Sequence, residues 1–306
     1  MKMLLYLQRA VPLCGLLLNK LKFPGLWTGL HVEITSAGII SYGKGVKLGE
    51  GTRVDVSAGS KLRIEDGVIV GRNAVISLPA SVELRIGAAT AVQDNCRLQG
   101  QVSVGKDCIF APNVFISSGS HTFDKLPHLS IKDQDRIAAA TDQPVRIFDD
   151  CWFGVNSVVQ PGITIGRGCV IGANSVITQD LPPYSVAAGN PARVLRTRLN
   201  FVPKSRIEAT RAEDLPYFYD GFRDTLLDAG LQVAGSEFIL ALDLPNARSV
   251  RICICGTGEI RHGHQSKKIP KMPTVVEFSI DSDKSMVPFL VFNVAGTCQI
   301  NWAELF

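Results

Sequence analysis

The sequence predicts an all-β fold built mainly from a parallel β-helix, and the spacing of apolar residues carries that prediction. A large apolar residue recurs every six positions through two long runs, from Ile86 to Ile116 and from Ile147 to Ile177. An amphipathic helix repeats near 3.6 residues, and a half-buried strand repeats every two. A period of six therefore indicates a short strand, a corner and another short strand, and three such steps form one coil.

Two further positions of the six-residue unit agree with this interpretation. The residue after the apolar anchor is often glycine, as at Gly87 and Gly154, where a sharp corner favours a backbone without a Cβ. The residue two before the anchor is small or β-branched, and four cysteines occupy it: Cys96, Cys108, Cys151 and Cys169. We expect these cysteines to be interior packing residues rather than nucleophiles.

Composition excludes several classes of protein. The 306 residues are 46% hydrophobic and 20% charged, too apolar for a disordered chain and too interrupted by charge for a membrane-spanning one. A net charge of +4 gives no reason to expect nucleic-acid binding. Eight cysteines without a CxxC pair predict neither a disulfide framework nor a metal site. We expect a cytoplasmic protein, with the inner face of the membrane as the alternative location.

Residues 1–30 form a predicted N-terminal helical segment that is retained rather than cleaved. Its leucines fit an apolar helix, but Arg9, Pro12 and Lys20 break the run well before the roughly 18 residues that a membrane span needs. Such a segment usually packs against its own protein or a sister subunit. Weak peripheral membrane contact is the alternative.

The six-residue period extends over residues 31–198 and then disappears. Residues 199–232 are predicted to form a linker and a short helix, the latter from the stretch DGFRDTLLDAG. In residues 233–306, five apolar runs separated by turns predict a small β-sandwich-like domain. Its role is left open between glycan binding and support of an oligomer. His262 and His264 are interpreted as exposed turn residues, and Cys253 and Cys255 as packing residues of one strand.

One long segment interrupts the repeats between Ile116 and Ile147, and long loops in regular scaffolds are often functional. It contains His121 and His128. Because His121 follows the last anchor of the first run closely, the rigid coil should hold its position. A neutral imidazole accepts a proton near neutral pH, as a general base must.

The closing repeats carry a resemblance to a known family. The step Cys-Trp-Phe-Gly at 151–154, the coils PGITIG and VIGANSVIT, the ending AAGNPARVLR and the preceding loop SGSHTFD resemble the hexapeptide-repeat O-acetyltransferases. That family includes galactoside and maltose acetyltransferases and bacterial polysaccharide-modifying enzymes, and the likeness covers roughly residues 31–198. It implies a left-handed β-helix, acetyl-CoA as acyl donor, no metal, and a homotrimer.

The resemblance also implies roles for individual residues. His121 matches the general base, and the backbone N–H of Val155 matches the oxyanion donor. The residues expected to bind substrate are Asn95, Asp124 and Trp152, with Asp124 also considered as a group that orients His121. Those expected to bind the cofactor are Gly154, Ala173, Thr178, Arg193 and Arg196, while Arg198 is a weaker candidate.

The function expected from the sequence is direct transfer of an acetyl group to a sugar hydroxyl of a bacterial surface polysaccharide, lipopolysaccharide or precursor. The alternatives are a same-fold acyltransferase for an amino sugar, amino acid or drug, and a non-catalytic glycan-binding scaffold. The sequence leaves the acceptor sugar and the acyl group of the donor open.

Overall fold

The computed structural model describes residues 19, 21–137, 143–198, 202, 204–227, 230–244, 247–280 and 289–306. The chain divides into two compact units, Met1–Arg198 and Leu199–Phe306. Residues 1–18 and 20 of the predicted N-terminal helical segment lie outside the described residues, and Trp27–Thr28 near its end form a strand rather than a helix. Within them, no helix is both long and apolar enough to cross a membrane.

The first unit is a β-helix of short parallel strands. In chain order these strands are β1 (Trp27–Thr28), β2 (Glu33–Ser36), β3 (Ile39–Tyr42), β4 (Lys47–Leu48), β5 (Arg53–Val56), β6 (Lys61–Ile64), β7 (Ile69–Val70), β8 (Val75–Leu78), β9 (Glu83–Ile86), β10 (Ala91–Val92), β11 (Arg97–Gln99), β12 (Val102–Val104), β13 (Ile109–Phe110), β14 (Phe115–Ser117), β15 (Val145–Ile147), β16 (Trp152–Phe153), β17 (Val158–Val159), β18 (Thr164–Ile165), β19 (Val170–Ile171), β20 (Val176–Ile177), β21 (Ser185–Gly189) and β22 (Ala192–Thr197).

Successive strands lie on three faces, so that every third strand pairs in register. Sheet A has the order β1-β4-β7-β10-β13-β16-β19-β21-β22, sheet B β2-β5-β8-β11-β14-β17-β20, and sheet C β3-β6-β9-β12-β15-β18. All pairs in these sheets are parallel except β21 with β22, which is antiparallel. The parallel β-helix predicted from the six-residue period is confirmed.

The anchors of the period fill the interior of the β-helix. From Ile86 to Ile116 and from Ile147 to Ile177 every anchor is at most 3% exposed. The rings of Phe110 and Phe153, anchors of neighbouring coils, stack with centroids 4.6 Å apart. Burial of one large side chain per strand stabilises each coil only when the next coil covers it.

The corner between sheets A and B is built on asparagine. Five asparagines there have φ between 53° and 64°, a left-handed conformation that asparagine tolerates better than most residues: Asn73, Asn95, Asn113, Asn156 and Asn174. We call this set the asparagine corner. The side-chain amide of Asn113 donates to Asn156 Oδ1 (2.9 Å), and that of Asn156 donates to Asn174 Oδ1 (3.0 Å). The corner therefore keeps the coils aligned.

The four cysteines of the repeats are interior residues, as predicted. Each is at most 1% exposed, and their thiols face carbonyls of the next coil, as Cys108 Sγ does with Phe148 O (3.3 Å). The thiols of Cys108 and Cys169, together with burial, raise the pKa of Cys151 far above its usual range. A thiol that stays protonated is a poor nucleophile.

The second unit is one antiparallel sheet around its own apolar core. Its elements are β23 (Arg206–Glu208), a 3₁₀ helix (Ala212–Tyr217), β24 (Phe218–Asp220), β25 (Phe222–Leu227), β26 (Gly230–Val233), β27 (Glu237–Ala241), β28 (Ser249–His262), β29 (Gln265–Lys268), β30 (Thr274–Ser279) and β31 (Phe289–Leu305). The additional C-terminal β domain is thereby confirmed.

Two details of this unit differ from the sequence prediction. The stretch DGFRDTLLDAG does not form a helix: it supplies β25 and the start of β26, which pair with each other while β26 pairs with β31. Gly221 and Gly230 at its ends have φ of +83° and +144°, outside the helical region. The last two of the five strands predicted from the sequence form one continuous strand, β31.

The length of β31 depends on glycine. Gly258 of β28 lies opposite Gly296 of β31, and a Cβ on Gly258 would lie 1.8 Å from the carbonyl oxygen of Ala295. Both glycines have positive φ, +101° and +135°. Only glycine fits this close approach, so the two long strands remain paired through it.

Candidate active site

In the segment that interrupts the repeats, residues 118–137 form an excursion from the β-helix with a helix of its own, α1 (Ile131–Ile137). Its start is held to the β-helix at Ser118, whose hydroxyl accepts a hydrogen bond from Gln101 N–H (2.7 Å). Its centre is held by the buried side chain of Gln134. That amide accepts from Leu126 N–H (3.0 Å) and donates to the carbonyls of Phe123 (3.3 Å) and Leu129 (3.2 Å).

This framework brings His121 and Asp135 together. His121 Nδ1 lies 2.6 Å from Asp135 Oδ2, and the other carboxylate oxygen of Asp135 accepts from Thr122 N–H at 2.8 Å. The hydrogen bonds from Thr122 and His121 lower the pKa of Asp135. The carboxylate is therefore ionised near neutral pH and fixed at both oxygens.

The pair determines which nitrogen of His121 is free. An ionised carboxylate only accepts hydrogen bonds, so Nδ1 of His121 carries the proton that points at Asp135. In the neutral ring Nε2 then has an open lone pair. The His121 side chain is 82% exposed. The arrangement suits a general base.

Sequence reasoning considered Asp124 for the position that Asp135 occupies. Asp124 is exposed, and the hydrogen bond to the His121 ring comes from Asp135, fourteen residues along the chain. A helix-start signal was present: Ser130 is followed three residues later by Asp133, and Ser130 Oγ caps Asp133 N–H (3.2 Å). Recognising that signal would have predicted α1, though not which of its carboxylates meets His121.

Gly154, Val155 and Ala173 lie on the asparagine corner in two neighbouring coils. Gly154 N–H donates to Ile171 O (2.8 Å), and a Cβ on Gly154 would lie 2.5 Å from Ala173 N. The coils are therefore too close for any side chain at Gly154. The N–H of Val155 donates to no group among the described residues, whereas its carbonyl accepts from Asn174 (2.9 Å).

The other residues predicted to bind substrate or cofactor lie at different places in the β-helix. Asn95 belongs to the asparagine corner itself, one coil before Asn113, so its left-handed backbone already explains an asparagine there. Trp152 is 53% exposed on the outer face of sheet A, between Ile109 and Val170. Thr178 directly follows β20 and is half-buried.

Arg193 and Arg196 lie on β22, at the end of sheet A. Both are exposed, and their guanidinium groups donate to backbone carbonyls, Arg193 to Ala192 O (3.0 Å) and Arg196 to Thr197 O (2.9 Å). Arg198 instead forms an ion pair with Asp150 (2.5 Å), which ties the end of the unit to the β-helix. Among the described residues, Arg198 is paired with a carboxylate, and Arg193 and Arg196 are not.

Comparisons with known proteins agree with this architecture. The family model for the hexapeptide repeat of succinyl-transferase matches residues 144–179. A Staphylococcus aureus protein named as an acetyltransferase is 50% identical over 64 residues, 21% of this chain and 32% of that protein. A Mycobacterium tuberculosis protein named as an acetyltransferase is 40% identical over 97 residues, 32% of this chain and 31% of that protein.

Among solved structures, the chain matches the polysialic acid O-acetyltransferase OatWY with 21% identity and a TM-score of 0.49, covering 63% of this chain and 90% of that one. A maltose O-acetyltransferase from Clostridium difficile is 25% identical with a TM-score of 0.31, covering 54% of this chain and 70% of that one.

The fold and the corner define a hexapeptide-repeat β-helix protein. The matching repeats confirm its resemblance to the hexapeptide-repeat acetyltransferases. The chain spans about a third of the length of the two relatives described above.

Proposed function

We propose that the β-helix unit is an O-acetyltransferase that moves an acetyl group from acetyl-CoA to a sugar hydroxyl of a bacterial surface polysaccharide, lipopolysaccharide or precursor. The observation that carries the proposal is the His121–Asp135 pair. The acetyltransferase names of the relatives support the reaction class. The domain division of 31–198 for catalysis and 233–306 for an accessory role is part of the proposal.

Transfer proceeds directly from donor to acceptor. His121 Nε2 takes the proton of the acceptor hydroxyl as its oxygen bonds to the acetyl carbon, and the thioester C–S bond then breaks. The released thiolate takes that proton back from His121. Asp135 is a positioning residue that stabilises the imidazolium formed in between. Together with general-base catalysis, this stabilisation raises the rate about 10²- to 10⁴-fold.

Two features of the asparagine corner suit the binding of acetyl-CoA. The open N–H of Val155 is available to the thioester oxygen as negative charge develops on it, a contribution of about 3 kcal/mol for one such donor. Gly154 and Ala173 leave the corner without bulky side chains, so that a pantetheine arm lies close to the backbone. Three strand spacings, about 14 Å, separate β16 from β22, the strand of Arg193 and Arg196. We assign these two arginines to the phosphates of the donor.

A homotrimer completes this site. Ile109 and Trp152 are exposed neighbours on sheet A, and Ile69 continues the apolar column two strands away with Ala91 between. A second subunit against this column would exclude water from the corner and cover the exposed His121. Light scattering should show a trimer of the 33.1 kDa chain, and a fully active monomer would contradict this part of the proposal.

Thiol release from acetyl-CoA with a panel of saccharides tests the function. The proposal expects acceptor-dependent thiol release and an ester on a sugar oxygen. If thiol were released with amino sugars alone and an amide formed, the acceptor would be a sugar amine instead of a sugar hydroxyl. If acetyl-CoA neither bound nor turned over with any acceptor, the enzyme assignment would fail.

A further inference from the structure

The outer face of sheet C carries a row of exposed arginines. Ser103 of β12 lies in register between Arg85 of β9 and Arg146 of β15. Arg63 of β6 lies in register with Arg85 on its other side. Because neighbouring strands are about 4.8 Å apart, the Cα atoms of Arg85 and Arg146 are separated by about 10 Å. The small side chain of Ser103 leaves a depression between the two long ones.

This depression is a pocket of about 180 Å³. Its polar lining consists of Glu83, Arg85, Gln101, Ser103 and Arg146, and we call it the arginine pocket. Pockets that enclose a whole drug-sized ligand measure about 300 Å³ or more. The arginine pocket therefore suits one functional group of a larger molecule.

The carboxylates around the arginine pocket do not balance its guanidinium groups. Arg85 and Arg63 share the carboxylate of Glu65, at 2.8 and 3.6 Å. Arg146 forms no ion pair with any described residue. Glu83 also lines the pocket, so three guanidinium groups face two carboxylates. One positive charge is left for a ligand.

The arginine pocket lies beside the start of the excursion that carries His121. Gln101 N–H donates to Ser118 Oγ (2.7 Å), and Gln143, just before β15, donates through its N–H to Ser118 O (2.9 Å). His121 follows Ser118 by three residues, a stretch of at most about 11 Å. A short oligosaccharide anchored in the pocket can therefore span the distance to His121.

We propose that the arginine pocket binds the acidic group, a carboxylate or phosphate, of a saccharide acceptor. This inference rests on the acyl transfer proposed above and narrows its substrate class to acidic saccharides. Guanidinium groups bind such oxyanions through paired N–H donors, and the Ser103 hydroxyl offers another donor between them. Glu83 favours a saccharide over a free anion, because an ionised carboxylate only accepts hydrogen bonds and a sugar supplies hydroxyl donors.

Calorimetric titration with a hexamer of galacturonic acid, without acetyl-CoA, tests this inference independently of acyl transfer. The parent protein should bind the hexamer, and should bind its methyl ester, which lacks the charges, much more weakly. Arg146→Gln should lower the affinity for the acidic hexamer about tenfold. Arg146→Lys keeps the charge without the planar fork and should lose less.

Arg97→Gln is the matched control, because Arg97 is exposed on β11 of sheet B and forms no ion pair among the described residues. This variant should bind the acidic hexamer like the parent protein. Circular dichroism checks that every variant is folded, and light scattering checks that it assembles like the parent. A change of oligomeric state in Arg146→Gln would overturn the inference, since Arg146 would then contact another subunit.

Other results would also overturn it. These are no binding of the acidic hexamer, equal binding of the hexamer and its methyl ester, and equal affinities in Arg146→Gln and Arg97→Gln. If free CoA displaced the hexamer and Arg146→Gln weakened CoA binding, the pocket would hold a donor phosphate instead.

Failure of this inference is distinguishable from failure of the proposed function. Hexamer binding that depends on Arg146, without thiol release from acetyl-CoA, would reject the acyltransferase and leave the pocket as a saccharide site. Thiol release with neutral saccharides, without hexamer binding, would keep the acyltransferase and reject the acidic acceptor.

Discussion

Replacing Asp135 by asparagine tests the proposed role of the His121–Asp135 pair. The substitution keeps the size of the side chain, and the amide oxygen can still accept from Thr122 N–H. It removes the charge and presents N–H₂ where His121 Nδ1 now donates. To avoid two facing donors, the imidazole takes the other tautomer, with its proton on Nε2. Nε2 of His121 can then no longer take the proton of the acceptor hydroxyl.

The size of the effect follows from the contact. A hydrogen bond to a charged group contributes about 1.5–3 kcal/mol, and the 2.6 Å separation places this bond among the short, charge-assisted ones. If the imidazolium loses that stabilisation in the transition state, kcat falls about 10- to 150-fold. Because the donor is held elsewhere, the KM for acetyl-CoA should change little.

Steady-state kinetics with a saccharide acceptor measures the kcat and KM effects separately. Asp133→Asn is the matched control: Asp133 lies on the same helix but pairs with Arg136 (3.2 Å), so its loss should leave kcat within a factor of two or so. Nitrogen-15 spectra of histidine should show the His121 tautomer exchanged in Asp135→Asn only. An unchanged kcat, or equal losses in both variants, would refute the positioning role.

Three further outcomes are expected. Arg193→Gln and Arg196→Gln should each raise the KM for acetyl-CoA about fivefold, ~1 kcal/mol for an exposed charge contact, but not the KM for a donor lacking the nucleotide. Chemical denaturation should show Gly258→Ala destabilising the second unit by about 2–4 kcal/mol, whereas Gly263→Ala, with open space around it, costs about 1 kcal/mol. Burial alone would raise the pKa of Asp214, but hydrogen bonds from Lys204 and Glu208 N–H outweigh it and hold the pKa below its usual range. The stability from this carboxylate is thus present above pH ~3.9 and lost as pH falls through its lower folded value, a slope that acid unfolding should show flattened in Asp214→Asn.

The β-helix was predictable because its rule is local. Each coil requires an apolar residue at every sixth position. The anchors from Ile86 to Ile177 show this period in the sequence itself, without any knowledge of long-range contacts. The interior place of Cys151 follows from the same count. His121 was predictable in position because it comes four residues after β14, within a short reach of the rigid coil.

The partner of His121 and the strand β25 were not predictable by such counting. Asp135 meets His121 in an excursion that Gln134 holds together through three hydrogen bonds to backbone groups five to eleven residues away. Residues 222–227 have the local pattern of a helix, yet they form a strand because β26 offers a partner edge. In both cases contacts with other segments, rather than local propensity, decide the structure.

The central claim is that His121 is the general base of direct acetyl transfer, and the turnover of His121→Ala tests it most directly. The account predicts that kcat falls about 10²- to 10⁴-fold, while the dissociation constant of acetyl-CoA, measured calorimetrically on the same preparation, stays nearly unchanged. Turnover equal to that of the parent protein would contradict it and would place the base elsewhere.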